Sequence, residues 1–473
     1  MKPYKVLIFI ALSIALLGVL CWFFPTSGVE AAGITLRMPT LARVMGQDST
    51  ATFDVEAYLA AEESPELQGL RDSVEYLQRA ADSADTRFYL PTDDYFDSLF
   101  ALFERAQAEG RTVRVLHYGD SQIEMDRMSA RLRAILQHRF GGSGPGLIPF
   151  RTIISSPAVN ISASGDLSRY APFGDSTVHR SRQGHYGPMM QDFHLAGQAQ
   201  TTISAARSSR VDSLLGSFQQ VTLLANNRGG RFSAGFGNRQ LGLDTTFATD
   251  STGPVAFGLR LDSATTAIRV SANGQGDLYG LLVDGMGGVA VDNIPMRGCS
   301  GQQFTMVDST ELAQAYAMMD IGLIIMQFGG NSVPYLRSRK PVETYCRSIG
   351  RQIERVRACC PRAKILFVGP SDMSTSVEGR YQSYPYLDSV VEALRLTALE
   401  HGAAYWSIYH AMGGHNTMVA WVENGLGSQD HIHFSQRGAD IMGDRLGQAF
   451  MDLYTLYGLR QRIVAEEQKN TIQ

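Results

Sequence analysis

The strongest constraint on how this chain folds is an alternation of short, wholly apolar runs with amphipathic segments of helical period. Ile321 to Phe328, Ile365 to Val368 and Ala403 to Ile408 have strand length and little polarity. Between and after them, residues 342–358, 385–401 and 436–455 repeat apolar side chains at helical spacing, as in Val342, Tyr345, Ile349, Ile353 and Val356. Strands buried on both faces and joined by helices form parallel sheets, because a parallel connection needs a crossover that a helix supplies. The expected fold class is α/β, a doubly wound, flavodoxin-like parallel sheet with helices on both faces.

The same pattern occurs once earlier. A helix near 94–109 (Tyr95, Leu99, Leu102, Phe103, Ala106) leads through Gly110 into a strand ending at Gly119, and helical spacing resumes at Met128, Leu132, Ile135 and Leu136 until Gly141-Gly142. From about 151 to 285 the helical period vanishes. Short runs such as Val221 to Leu224, Val255 to Leu261 and Ala267 to Val270 are separated by Gly, Asn, Asp and Ser clusters, which reads as a β-sandwich insertion. The expected organisation is a leader at 1–31, a polar helical or linker region at 32–93, a first α/β segment at 94–150, the insert at 151–285, a second α/β segment of the same domain at 286–458, and a polar, fraying tail at 459–473.

The leader carries its own information. Lys2 and Lys5 precede a nearly unbroken apolar run from Val6 to Phe24. That length exceeds an ordinary signal h-region and reaches the lower limit of a spanning helix, while Val29-Glu30-Ala31 offers a cleavage site before Ala32. A cleaved signal and a retained anchor both remain open; the flanking charge places the rest of the chain outside the cytoplasmic membrane either way. A net charge of −4 without a basic run argues against nucleic acid. Beyond the leader there are four cysteines and no Cys-x-x-Cys pair, so no metal site is expected. Cys346 and Cys359, at opposite ends of one helix about 20 Å apart, are out of disulfide reach.

Four short motifs fall where an open α/β sheet builds its active site, in loops beyond the strands. Gly119-Asp120-Ser121 ends the first strand and sets the Ser121 hydroxyl at the start of a helix, where free N–H groups favour negative charge. Gly301, in Arg297-Gly298-Cys299-Ser300-Gly301-Gln302, can offer a closely approachable N–H, and Asn331, in Gly329-Gly330-Asn331-Ser332, a side-chain amide. In Asp430-His431-Ile432-His433 a carboxylate three residues before an imidazole can fix its tautomer and leave Nε2 free as a base; the spacing favours His433 over His431. Each motif alone is an ordinary turn or cap. In this order, each expected after its own strand, they supply a nucleophile, a base, an orienting acid and three oxyanion donors.

With those blocks the chain resembles the SGNH/GDSL hydrolase superfamily over about residues 94–150 and 286–458. The resemblance implies an SGNH hydrolase fold, Ser121 as nucleophile and oxyanion donor, Gly301 and Asn331 as the other donors, His433 as base and Asp430 as its orienting acid, with no metal or organic cofactor. Ser332 departs from the family, which often has Asp after the Asn. The placement of the insert, with Asp277 to Leu282 and Gly369-Pro370-Ser371-Asp372, resembles bacterial peptidoglycan O-acetylesterases, whose insert is like a carbohydrate-binding module. This implies an O-acylated glycan as partner and an O-acetylesterase activity in the periplasm or cell envelope. An O-acetyltransferase, a lipase or thioesterase, and a non-catalytic glycan-binding protein remain alternatives. Tyr170, Phe173, Tyr186, Phe193 and Phe232 of the insert have rings that can stack on sugars, but core packing is the favoured reading of each, so none is assigned to binding.

Overall fold

The computed structural model describes Val19, residues 29–31 and 34–36, and residues 67–205 and 212–472. The apolar run Val6 to Phe24 lies outside them apart from Val19, and no helix among the described residues is long and apolar enough to cross a membrane. The chain divides into two units, residues 1–73 and 74–473. The first contributes a two-stranded antiparallel ladder, β1 (Val29–Ala31) with β2 (Ile34–Leu36), and the start of helix α1 (Leu67–Ser83). Everything below concerns the second.

Its frame runs from β3 (Phe88–Tyr89) through helix α2 (Asp97–Ala106), β4 (Thr112–Gly119) and helix α3 (Ser129–Phe140). The insert follows, with strands β5 (Gly146–Ile148), β6 (Val159–Tyr170), β7 (Asp192–Ala205), β8 (Phe218–Asn238), β9 (Leu243–Thr249), β10 (Gly253–Thr265) and β11 (Ala267–Asp284). The frame resumes with β12 (Gly288–Pro295), helix α4 (Ser309–Ala317), β13 (Ile321–Gln327), helix α5 (Arg339–Cys359) and β14 (Lys364–Gly369). A hairpin of β15 (Ser374–Val377) and β16 (Arg380–Ser383) precedes helix α6 (Leu387–Glu400), β17 (Ala404–Ser407) and helices α7 (Ile408–Ala411), α8 (Thr417–Glu423) and α9 (Gln436–Ile472).

One six-stranded sheet has the order β12-β4-β13-β14-β17-β3; all its pairings are parallel except β17 with β3. Every residue of β13 is buried, the burial that covering both faces demands. On one face Leu116, Ile324, Met326 and Phe367 share a core with Ile349 and Ile353 of α5 and Val390 and Leu394 of α6. On the other, ring contacts Phe96–Phe450, Phe100–Tyr454 and Phe140–Tyr454 lock α2, α3 and α9 together. The expected doubly wound α/β sheet is the observed one.

Three local expectations change. Phe88 and Tyr89, assigned to a linker, add the antiparallel edge strand through Trp406 and Tyr405. Instead of fraying, the tail continues α9 to Ile472; Leu456, Tyr457 and Leu459 are buried, and Arg460 binds Asp97 of α2 (Nε to Oδ2, 2.9 Å). The insert is one continuous network of seven antiparallel strands. β8 and β11 run through its whole length with register shifts between 273 and 280, and the network folds over itself so that Phe232, beside β9, stacks on Phe257 of β10 at 6.0 Å. Two layers thus enclose one core while sharing their longest strands.

The insert is tied to the frame by buried charge. Arg114 of β4 grips Asp292 of β12 (2.8 and 2.8 Å) and Asp284 at the end of β11 (2.7 and 3.2 Å). Removing one partner from such a cluster costs about 3–5 kcal/mol, since it strands the other charges.

Candidate active site

The register of the sheet brings the motif-bearing loops to one level. Gly119 pairs with Pro295 on one side and Gln327 on the other, and Gln327 pairs with Val368. Asp120-Ser121, the 297–302 loop, Phe328 to Asn331 and Pro370 to Asp372 therefore leave the sheet together, as expected for a site at strand C-termini. Of these, Asp120, Ser121, Phe328, Gly330, Asn331, Pro370 and Ser371 line a pocket of about 210 Å³ together with Ile432 and His433; the 297–302 loop does not reach its wall.

Ser121 does not open an α-helix, as the sequence pattern implies. It begins a 3₁₀ segment (Ser121–Asp126) broken by Met125 (φ +58°), and α3 starts only at Ser129 after two more positive-φ residues, Asp126 and Met128. A buried ion pair between Asp126 and Arg133 (2.6 and 2.9 Å) anchors the kink. The segment is capped by Asp120, whose Oδ1 accepts the Gln122 N–H at 2.9 Å.

The structure brings Ser121, His433 and Asp430 into one relay. The Ser121 hydroxyl and His433 Nε2 are 2.7 Å apart, and His433 Nδ1 and Asp430 Oδ2 are also 2.7 Å apart. In the tautomer this network selects, Nδ1–H donates to the carboxylate and Nε2 accepts from the serine. Asp430 Oδ1 also accepts the N–H groups of Ile432 (2.9 Å) and His433 (3.0 Å). Burial pushes the Asp430 pKa up, but these hydrogen bonds outweigh it and hold the carboxyl below its ordinary value.

Its loop does not follow a strand of the sheet, contrary to expectation. It lies between α8 and α9, fastened by a bridge between Gly427 and Phe434 and by the Ser374 N–H to His431 carbonyl bond (2.9 Å). His431 does not line the pocket: its backbone has φ +57° and its ring stacks on Tyr381 at 3.6 Å. A third histidine, His117, is buried in β4 between Gln327 and Ser129, and burial drives its pKa down to about 4, so it is neutral.

Asn331 reaches the pocket with its amide committed, Nδ2 donating to Asp120 Oδ2 (3.1 Å) and to the Cys299 carbonyl (3.0 Å). Gly301 is not among the pocket-lining residues. Its φ is +81°, and a Cβ there would lie 2.8 Å from Phe328, so the position needs glycine for steric reasons alone.

Three residues around the relay escaped the sequence reading. Gln122 brackets His433: its Nε2 donates to the Ile432 carbonyl (2.8 Å) and its Oε1 accepts the Phe434 N–H (3.2 Å). Arg127 donates to the carbonyls of Ser121 (2.5 Å), Phe434 (3.1 Å) and Glu124 (3.0 Å). Asp120 is buried beside both, and burial pushes its carboxyl up to about 6. Adjacency to Ser121 was the available signal for Gln122 and Asp120; Arg127 had none.

Of the insert aromatics, Phe173, Tyr186, Phe193 and Phe232 are buried in cores, and Tyr170 packs against His179 and His194. Among the described residues the four cysteines are free, and no group of three or more His, Cys, Asp or Glu side chains is placed to hold a metal ion.

Residues 262–441 match the family model of the GDSL-like lipase/acylhydrolases. The chain carries a GDSL-like lipase/acylhydrolase domain. The matched stretch contains Gly301, Asn331, Asp430 and His433; Ser121 lies before it, cut off in sequence by the insert. A solved peptidoglycan O-acetylesterase superposes with a TM-score of 0.60 at 20% identity, over 77% of this chain and 96% of its own, which shows a shared fold that takes in the insert as well as the GDSL-like domain. A family two carbohydrate esterase from Cellvibrio japonicus (11% identity, TM-score 0.26, 63% of this chain and 99% of its own) and an acetyl xylan esterase (10%, 0.27, 34% and 81%) are more distant. No curated protein matches the sequence.

Proposed function

We propose that this protein is an exported serine esterase that removes O-acetyl or other small acyl groups from a cell-envelope glycan, peptidoglycan foremost. The observation that carries the reading is the relay of two 2.7 Å contacts, Ser121 to His433 to Asp430, open to a pocket. His433 Nε2 takes the hydroxyl proton as Ser121 Oγ attacks the ester carbonyl, while Asp430 holds the ring and balances the imidazolium. The oxyanion is received by the Ser121 N–H and by the Asn331 amide, which exchanges its bond to Asp120 or Cys299 for the new one; Gly301, which does not line the pocket, has no part in this step. Collapse expels the sugar hydroxyl with the proton from His433. Water, deprotonated by the same nitrogen, then cleaves the acyl-serine and releases the acid.

The substrate class is supported by the pocket's small volume, by the insert shared with the solved peptidoglycan O-acetylesterase, and by the apolar leader. The test is acetate release from O-acetylated peptidoglycan beside a short nitrophenyl ester, using protein lacking residues 1–31 and its Ser121→Ala variant. Release from both, lost in the variant, is expected. Turnover of the small ester with acetyl appearing on an added glycan instead of in solution would establish the transferase alternative. Inactivity on both, with glycan binding unchanged by Ser121→Ala, would overturn the esterase reading.

A further inference from the structure

The pocket at Ser121 is smaller than the roughly 300–1,000 Å³ typical of small-molecule sites, so it takes an acyl group and leaves the alcohol side of the ester outside. A second cavity, of about 620 Å³, opens between the insert and the frame directly beside the nucleophile segment. Its frame wall includes Met125, from the segment that begins with Ser121, and Pro295, which pairs in register with Gly119. Arg297, also on this wall, is pinned by Glu124 of the same segment through two contacts of 2.5 Å. Met125, four residues after Ser121 in the same segment, thus puts this cavity on the nucleophile's side of the frame.

The insert wall holds a cation without an ion pair, with Asp175 acting on it only through space and the Phe173 ring centroid 5.9 Å from its guanidinium. Arg169 is half-buried, and its Nε and Nη2 both donate to the one neutral oxygen of Gln191 (3.1 and 2.7 Å). Among the described residues no carboxylate lies within ion-pair distance of it. Asp175, the acid of this wall, spends Oδ1 on the Thr177 N–H (2.9 Å) and hydroxyl (2.6 Å). A guanidinium has five N–H donors in a planar fork suited to carboxylates, and a half-buried one gains more from an anion than from an amide. Apart from Asp126 and Arg133, which are paired with each other, the other side chains facing the space mix hydroxyls and amides with apolar surface, as a sugar's two kinds of face require.

From this juxtaposition we propose that the cavity is a second subsite for the same polymer, binding an acidic unit of the glycan near the ester through Arg169. The proposal rests on the esterase reading for its substrate and adds what the enzyme reads beyond the acyl group: a carboxylate, whether on a sugar ring or on a group linked to it. Binding energy taken up there holds the ester over Ser121, so it enters as lower KM on the polymer.

The test compares O-acetylated peptidoglycan before and after conversion of its carboxylates to amides, with a short nitrophenyl ester as reference. Arg169→Gln is expected to raise KM on the acidic polymer by about ten-fold or more, with kcat retained, so that polymer turnover falls relative to the small ester. Arg169→Lys should recover part of that loss, and amidation should bring the wild type to the level of Arg169→Gln. An O-acetylated neutral xylan should not distinguish the two proteins, which separates carboxylate recognition from general glycan contact. Equal KM for wild type and Arg169→Gln on the acidic polymer, or parallel losses on polymer and small ester, would overturn the subsite. Titration of the acidic glycan into Ser121→Ala, with and without Arg169→Gln, separates the two readings. Arg169-dependent binding in a protein without turnover defeats only the esterase; turnover without Arg169 dependence defeats only the subsite.

Discussion

Ser121 and His433 are 2.7 Å apart, yet the chain holds them by different means. Ser121 leaves a strand that is buried along nearly its whole length and flanked on both sides in register, and Asp120 before it is 4% exposed. His433 sits on a loop outside the sheet, with its side chain 31% exposed and that of Asp430 46% exposed. The nucleophile's position is thus inherited from the core, whereas the base is held by individual bonds from Asp430, Gln122 and Arg127 to loop backbone. The two sides should therefore differ in how strongly ionisation and substitution couple to stability, the buried carboxylate of the first side most and the exposed loop of the second least.

The largest expected effect is on the chemistry of the core side. Ser121→Ala should lower kcat on any ester by about 10⁴- to 10⁶-fold, because removing the nucleophile leaves only binding and oxyanion contributions. A hydroxyl removed from a half-buried position costs little stability, so the melting temperature should stay near that of the wild type. A variant retaining a tenth of the activity would place the nucleophile elsewhere.

The two carboxylates should separate in their pH dependence. Asp120, raised from 3.8 to about 6 by burial, favours the folded state below the ordinary carboxylate value, and that contribution is lost as pH rises through about 6. Its ionisation costs about 3 kcal/mol of stability at neutral pH. Asp430, held below its ordinary value, behaves oppositely: its contribution is present above that value and lost as pH falls through the folded one. Urea unfolding of Asp120→Asn should therefore gain on the wild type between pH 4 and pH 8, while Asp430→Asn should lose a smaller amount, since its carboxylate is half exposed. Parallel curves for the two variants would erase the distinction between a core side and a loop side.

Gln122 spans that boundary, and its removal should show in rate alone. With the amide gone, the residues on either side of His433 lose their tether, and a misplacement on the order of 1 Å costs up to about 10²-fold in rate. Gln122→Ala should lower kcat by about 10- to 100-fold with KM little changed, and Gln122→Glu should restore only the bond accepted from Phe434. A rise in KM with kcat intact would move Gln122 from positioning the base to contacting substrate.

The same division governs what could be read from the sequence. Features repeated along the chain were legible: strand after apolar strand, the helices at 339–359 and 387–400, and the loss of helical period in the insert. So were the Gly119-Asp120-Ser121 and Asp430 to His433 spacings, since each is a local geometric unit. What depends on distant contacts was not. The turn after Ser121 kinks at Met125, Asp126 and Met128, none of them glycine, because Arg133 and Asp126 bury a pair that the local pattern does not show. The two-residue strand at Phe88 is too short to carry a period, and α9 outlasts its apolar stripe because Arg460 finds Asp97. Arg127 is a surface-type residue whose partners include a carbonyl 307 positions away.

The smallest predicted effect is the one that discriminates most directly between the two histidines of the loop. His431 stacks on Tyr381, its carbonyl accepts from Ser374 and it does not line the pocket, so its contribution is to the loop's attachment. Asparagine tolerates the positive φ of +57° that His431 adopts, which makes His431→Asn a gentler substitution than alanine. Its kcat should stay within about two-fold of the wild type, with a modest fall in melting temperature from the lost stacking. The corresponding change at His433 removes the base and should cost at least about 10³-fold. If the ranking were reversed, the base would be His431, and the contact between Ser121 and His433 would describe packing of the loop on the sheet instead of proton transfer.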